Sequence, residues 1–157
     1  MAKVLAAAIT AITLAISGSL AWDSQDNPSD EVPLLWTGAR SYAVQGMINN
    51  VVPIKFTIDT GADVVQIPYE TVMEMTRKHL IGRLAFKGST TTNNADGVDG
   101  KKQVIDLYSI SVGNHYAFNV QAVVGPPGSD ALLGQTFLQQ FGSYTIDNRR
   151  GVISITA

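Results

Sequence analysis

Residues 52–62 of this chain read VPIKFTIDTGA. Apolar and polar residues alternate from Val52 to Ile58, which predicts a strand with one buried face. The strand runs into Asp59-Thr60-Gly61, and a glycine at that point permits a tight turn. We therefore expect the Asp59 carboxylate to leave the sheet at a turn that follows a half-buried strand.

A carboxylate in such a turn suits hydrolysis by a carboxylate pair. The two groups share one proton and bind one water molecule. The ionised group takes the water's proton, and the protonated group donates to the scissile carbonyl oxygen. An Asp-(Thr/Ser)-Gly tripeptide arises by chance in roughly one chain of this length in fifteen. Alone it is more often an ordinary turn, so the surrounding sequence has to decide.

Strand patterns continue on both sides of this stretch. An apolar run precedes it, and Asn49-Asn50 between the two runs predicts a hairpin, because Asn tolerates the positive φ of tight turns. The segment from Gly88 to Gly100 reads as a long loop or a hairpin tip. The further predicted strands are 42–48, 103–112, 116–124, 131–134, 143–147 and 152–156.

Two short segments have helical patterns. Pro68 suits the first position of a helix, where its missing N–H costs nothing, and Val72, Met75 and His79 would then share one face. Residues 135–141 read as one or two helical turns. Strands that recur every 8–12 residues predict an all-β fold with one or two short helices.

The order of these elements resembles the retropepsin-like aspartic proteases, above all the single-domain bacterial members that carry an N-terminal signal or anchor. The resemblance rests on Asp59-Thr60-Gly61-Ala62 with its strand and, some 70 residues later, on Leu132-Leu133-Gly134, a helix-like run and a terminal hairpin. It covers about residues 41–156. It implies a closed β-barrel of the acid protease type.

The resemblance also assigns roles to residues. It implies that Asp59 is the catalytic carboxylate, that Thr60 forms a hydrogen bond across a subunit interface, and that Gly61 lets the substrate backbone come close. Ala62 completes the turn. The segment 86–103, with Gly97 and Gly100 near its tip, would be a flap that closes over the substrate.

One catalytic turn per chain predicts a homodimer. The sequence contains a single Asp-Thr-Gly, and neither Thr nor Ser followed by Gly comes after Asp106, Asp130 or Asp147. One chain therefore cannot supply both carboxylates. We expect two Asp59 side chains, one from each subunit, to meet on a two-fold axis.

One position departs from the retroviral pattern. Retroviral relatives commonly place Arg after the apolar-apolar-Gly element, and that Arg pairs with an Asp at the position of Asp63. This chain has Gln135 there. We therefore expect Asp63 to accept a hydrogen bond from Gln135, in a site supported by Leu132, Leu133 and Gly134.

The N-terminal residues are typical of an export signal. Lys3 is followed by an apolar run from Val4 to Ile16 and by small residues up to Ala21, which predicts a secretory signal cut after Ala21. The alternative is an uncleaved membrane tether through residues 4–20, at the lower length limit for a span. Both place the domain outside the cytoplasm, either in the periplasm or anchored to the membrane. Residues 22–40 read as an acidic, proline-containing linker, and residues 41–157 as the protease domain.

Composition excludes several other classes. The 157 residues fit one domain, and a formal net charge of -2 without a basic patch argues against a nucleic-acid partner. The absence of cysteine excludes disulfides, thiol catalysis and thiolate zinc sites. His79 and His115 lie 36 residues apart without a metal-binding motif, so we expect neither metal nor cofactor.

Three interpretations remain open at this stage. The first is a homodimeric aspartic endopeptidase, a hydrolase acting on peptide or protein substrates. The second is a non-catalytic peptide-binding or assembly module that keeps the retropepsin fold. The third is an exported β-barrel binding domain in which Asp59 occupies an ordinary turn. The intact Asp59-Thr60-Gly61 favours the first, since a module without activity has no need of the acid.

Overall fold

The computed structural model describes residues 30–38, 41–93 and 99–156, and the side chains of 92, 93 and 99 are not described. The described residues form two helices, α1 (Tyr69–Arg77) and α2 (Gln135–Leu138), and a 3-10 turn at Arg83–Ala85. Neither helix in this part of the chain has the length and apolar character needed to span a bilayer. The strands are β1 (Glu31–Pro33), β2 (Leu35–Trp36), β3 (Tyr42–Ile48), β4 (Val52–Ile58), β5 (Val65–Ile67), β6 (Phe86–Asn93), β7 (Asp99–Val112), β8 (His115–Val124), β9 (Ala131–Leu133), β10 (Ser143–Asp147) and β11 (Val152–Thr156).

Six of the strands close into a ring. The large sheet has the order β2-β3-β4-β9-β5-β8-β7-β6, and β3 also pairs with β7. This additional pairing joins β3, β4, β9, β5, β8 and β7 end to end. The predicted all-β class with one or two short helices is confirmed, and the predicted closure takes the form of this ring.

The hairpin ahead of the predicted catalytic turn, residues 59–62, forms as predicted. Strands β3 and β4 pair antiparallel from Ala43↔Thr57 to Ile48↔Val52. Asn49 and Asn50 between them have φ of 51° and 57°. The Val51 N–H donates to the Ile48 carbonyl oxygen at 3.0 Å and closes a tight turn, in which both central residues have the positive φ that Asn tolerates; three residues, 49–51, connect the paired ends of the strands. The register places Phe56 in the core and leaves Lys55 exposed.

The hydrophobic core fills the inside of the ring and extends under both helices. Helix α1 contributes Val72 and Met75, which lie three residues apart and therefore on one face. The prediction that His79 shares this face is wrong, because the helix ends at Arg77 and His79 adopts a φ of 56° beyond it. The largest fully buried side chains are Ile48, Phe56, Ile67, Met75, Ile105, Leu107, Ile110, Leu133, Phe137, Leu138, Ile153 and Ile155.

The folded domain begins earlier than the sequence composition indicates. Val32 is 5% exposed and pairs with Ile153, which places β1 beside β11 in a second sheet of order β1-β11-β10. The linker prediction for residues 22–40 is therefore wrong for 31–33 and 35–36, which are strands. Pro33 fits because β1 is an edge strand, where a missing N–H is tolerated. The predicted signal at residues 1–21 and the first part of the linker, residues 22–29, lie outside the described residues.

The predicted flap is built largely as a hairpin. Strands β6 and β7 pair antiparallel from Phe86↔Ile105 to Asn93↔Asp99, with a bulge between Phe86 and Gly88. Of the two alternatives for this segment, a loop or a hairpin tip, the structure has the hairpin. Gly97, predicted near the flap tip, lies outside the described residues.

Candidate active site

Asp59 lies directly after β4 in a turn that is closed by its own hydrogen bonds. The Ala62 N–H donates to the Asp59 carbonyl oxygen at 3.2 Å, and the Gly61 N–H donates to Asp59 Oδ1 at 3.0 Å. The Asp59 N–H donates to the Leu133 carbonyl oxygen at 3.3 Å. Aspartate favours such turns because its short side chain can accept from the backbone two residues on. The half-buried carboxylate is thereby oriented by the backbone around it.

Gly61 does not serve the turn in the way that the sequence indicates. It does not share the positive φ of the chain's left-handed glycines, so the backbone angle there does not require glycine. A Cβ added at Gly61 would meet Asp59 Oδ1 at 3.4 Å, an ordinary contact. The predicted close approach of a substrate backbone to Gly61 stays a prediction.

The apolar-apolar-Gly element lies beside the catalytic turn. Strand β9 runs parallel to β4, with Thr57 opposite Leu132 and Ile58 opposite Leu133. Gly134 follows, and a Cβ there would lie 2.3 Å from the Val64 carbonyl oxygen and 2.8 Å from the Ala62 carbonyl oxygen. The backbone after the turn therefore packs directly on Gly134. The structure brings these residues together as the resemblance implies, while their catalytic contribution stays a prediction.

Gln135 supports the turn, but not through Asp63. Its Nε2 donates to the Thr60 carbonyl oxygen at 2.7 Å, and its main-chain N–H donates to the Ala62 carbonyl oxygen at 2.9 Å. The predicted hydrogen bond from Gln135 to Asp63 is wrong, since the side-chain donor is directed to Thr60 and the Asp63 side chain is exposed. Gln135 instead fastens the start of α2 to both ends of the catalytic turn.

Thr136 is a supporting residue that the sequence reasoning missed. Its Oγ1 accepts from the Val65 N–H at 2.9 Å and donates to the Gln121 carbonyl oxygen at 2.8 Å. One hydroxyl thus joins β5 and β8 to α2. The signal in the sequence is a threonine in the first turn of a helix, where side-chain bonds to backbone groups are common.

The catalytic turn opens into a cleft of about 1040 Å³. Asp59 and Asp63 line it, together with Lys101 and Lys102 from the start of β7. Gln66 and the segment 123–126 line it as well. Part of the predicted flap and the predicted catalytic residue therefore border the same cleft.

A second hollow of about 470 Å³ lies elsewhere on the sheet. Met47, Pro53 and Tyr116 are among the residues that line it, and none of the lining residues carries a carboxylate. Acid–base chemistry by carboxylates is therefore assigned to the cleft that contains Asp59.

Comparison with known proteins agrees with this assignment. Residues 44–140 match the model of the family described as gag-polyprotein putative aspartyl protease. Among solved structures, the crystal structure of a retropepsin-like aspartic protease from Rickettsia conorii is similar, with 24% identity and a TM-score of 0.57 over 80% of this chain and 89% of that chain. A search of curated proteins gave no significant match. The structural match confirms the retropepsin-like fold that the sequence predicts.

Proposed function

Because this chain belongs to the family of gag-polyprotein putative aspartyl proteases, we propose that it is an aspartic endopeptidase whose active form is a homodimer. The observation that carries the proposal is the position of Asp59. Its carboxylate is held in a hydrogen-bonded turn and lines a cleft large enough for a peptide. Retention of the whole motif, Asp59-Thr60-Gly61, is what a hydrolase requires and a passive binding module does not.

Two Asp59 carboxylates would share one proton in the dimer. The ionised carboxylate takes a proton from the bound water as the water oxygen attacks the peptide carbonyl carbon, and the protonated one donates a hydrogen bond to the carbonyl oxygen. The tetrahedral intermediate then breaks at its C–N bond, and the leaving nitrogen takes up a proton. The products are a carboxylic acid and an amine, and the singly protonated pair is restored.

The single Asp-Thr-Gly per chain supports the dimeric form. Thr60 follows Asp59 and is exposed in the isolated chain, as expected for a residue that bonds across an interface. A two-fold axis close to the turn would bring both copies of Asp59 to one water molecule. Symmetry would also give the cleft two flaps, one from each subunit.

The N-terminal sequence supports a place outside the cytoplasm. Lys3, the apolar run from Val4 and the small residues before Ala21 form the pattern of an export signal. We infer that the domain acts in the periplasm or on the outer side of a membrane, where unfolded or extended protein segments would be its substrates.

Proteolysis by the purified full-length chain tests the function. An unfolded protein should be cleaved by the wild type, cleavage should stop on addition of the transition-state peptide pepstatin, and Asp59→Asn should be inactive while keeping its fold. Asp106→Asn is the matched control, since Asp106 pairs with Lys87 at 3.5 Å and does not line the cleft. Cleavage by Asp59→Asn at the wild-type rate contradicts the catalytic assignment.

Mixing subunits tests the dimer. If both Asp59 carboxylates are needed, an equal amount of Asp59→Asn added to wild type should lower activity to about one half once subunits have exchanged, because mixed dimers are inactive. Dilution should also lower the specific activity of the wild type. Activity that is unchanged by the variant, and by dilution to a confirmed monomer, contradicts a shared site.

A further inference from the structure

A lysine is held at a fixed position in the cleft. Lys102 Nζ donates to Gln66 Oε1 at 2.9 Å. Gln66 is 8% exposed, and its Nε2 donates to the Asp130 carbonyl oxygen at 3.1 Å. The main-chain carbonyl of Asp130 accepts a hydrogen bond from the NH₂ group of this buried amide, so the amide oxygen points toward the lysine. The Asp130 carbonyl therefore orients the Gln66 amide, and the amide in turn positions the Lys102 ammonium.

The ammonium group keeps hydrogen-bonding capacity toward the cleft. An ammonium carries three N–H donors, and Gln66 accepts one of them. None of the carboxylates that the structure describes lies within ion-pair distance of Lys102, whereas Lys87 on the neighbouring strand β6 pairs with Asp106. A half-buried cation with a neutral partner favours an anion that completes its shell.

We propose that Lys102 and Gln66 form a subsite for a carboxylate side chain of the substrate. The inference rests on the proposed function and adds a substrate class, namely peptides with Glu or Asp close to the scissile bond. Asp59 and Lys102 line the same cleft, so a peptide bound there in extended form can reach both. A substrate carboxylate at hydrogen-bond distance from Lys102 would be attracted to it more strongly than any anion beyond ion-pair distance, because Coulomb energies fall with distance.

Paired peptides test the subsite. A series that differs only by Glu or Gln at each position flanking the cleaved bond should show one position at which the wild-type dimer prefers Glu by about tenfold in kcat/KM, the size of one charge-assisted hydrogen bond. Lys102→Met should remove this preference and leave kcat/KM for the Gln peptide within about twofold. Lys102→Arg should retain part of it, and Lys102→Glu should favour a Lys peptide over a Glu peptide.

Lys87→Met is the matched control. Lys87 lies on the neighbouring strand β6, pairs with Asp106 and does not line the cleft, so the same loss of a positive charge there should leave the Glu preference in place. Equal kcat/KM for Glu and Gln peptides at every position overturns the subsite while leaving the protease function intact. If Lys102→Met lowers kcat/KM equally for all peptides, the subsite is overturned too, since that result means that Lys102 only supports the flap. Failure to cleave any peptide overturns the proposed function and, with it, the subsite.

Discussion

The side-chain amide of Gln135 donates a hydrogen bond to the Thr60 carbonyl oxygen across 2.7 Å, although the two residues lie 75 positions apart in the chain. The main-chain N–H of Gln135 bonds to the Ala62 carbonyl oxygen at 2.9 Å. One residue thus holds the catalytic turn at two points, and it does so without a charge. The turn can therefore be disturbed by substitutions that never touch the catalytic carboxylate.

Gln135→Met should impair catalysis more than folding. The change keeps side-chain length and removes the donor to Thr60, while the main-chain bond to Ala62 remains. The exposed Thr60 can be solvated by water, so the free energy of unfolding should fall by only about 1 kcal/mol. The loosened turn should lower kcat by several-fold. Enzyme assays measure kcat, and urea unfolding measures the free energy of unfolding. The control is Gln139→Met, a change at an exposed glutamine. Equal kcat for the two variants contradicts a role of the Gln135 side chain in holding the turn.

Gly134→Ala should disrupt the site through backbone contacts. The new methyl group would lie 2.3 Å from the Val64 carbonyl oxygen, and neither backbone can move without shifting a strand of the ring. We expect a loss of about 3 kcal/mol or more in the free energy of unfolding, together with loss of activity. Gly82→Ala is the control, because a Cβ at Gly82 meets no atom within 4 Å. Similar urea midpoints for the two variants would show that the Gly134 contact is not tight.

Thr136→Val should weaken the junction of β5, β8 and α2. Valine has nearly the same shape but leaves the N–H of fully buried Val65 without its acceptor. An unsatisfied buried donor costs about 1–3 kcal/mol. Thr136→Ser, which keeps the hydroxyl, should cost less. Thermal melting ranks the stability of the two variants. Amide hydrogen exchange at Val65 should accelerate in Thr136→Val but not in Thr136→Ser. A Thr136→Ser variant less stable than Thr136→Val contradicts the role of the hydroxyl.

Asp147 should contribute to stability in a pH-dependent way. The N–H groups of Arg150 and Arg149 donate to Asp147 Oδ1 at 3.0 and 2.8 Å in the β10–β11 turn, and these bonds, that of Arg150 first, hold the pKa of the carboxyl below its ordinary value. Since the folded pKa is lower than the unfolded one, the contribution is complete above the unfolded value and is lost as pH falls through the folded value.

Asp147→Asn should therefore be less stable than wild type at neutral pH and should lose less stability on acidification below about pH 4. Urea midpoints measured from pH 7 to pH 2 for both proteins provide the check. Parallel curves over the acidic range would mean that the carboxylate of Asp147 does not stabilise the turn.

Local patterns predict much of this fold. Two signals act through neighbouring residues: the alternation of apolar and polar residues before Asp59, and the paired asparagines Asn49 and Asn50. The sequence alone is therefore enough to place the hairpin and the turn that follows it. The start of α1 after Pro68 follows for the same reason. In each case the determining interaction lies within a few residues of the signal.

The sequence-based predictions fail where contacts with residues far away in the chain determine the structure. The segment from Glu31 to Trp36 has the composition of a linker, yet it becomes strand because β11 and β3 offer free edges to it. Analogy with a charged residue pairs Gln135 with Asp63, but the amide of Gln135 donates to the Thr60 carbonyl oxygen, and Asp63 is exposed to solvent. The role of Thr136 depends on its hydrogen bonds to β5 and β8, and the residues next to Thr136 in the sequence do not predict these contacts.

The parallel pairing of β4 with β9 also determines when the turn at Asp59 can take its final shape. Synthesis proceeds from the N-terminus, so Asp59 is made some 75 residues before Gly134 and Gln135. Until that second segment is made, the turn lacks the Leu133, Gly134 and Gln135 backbone that holds it. Contacts this far apart also form slowly, because a long loop has to close first. A partly made or truncated chain therefore carries the Asp59 carboxylate without the backbone contacts that hold its turn.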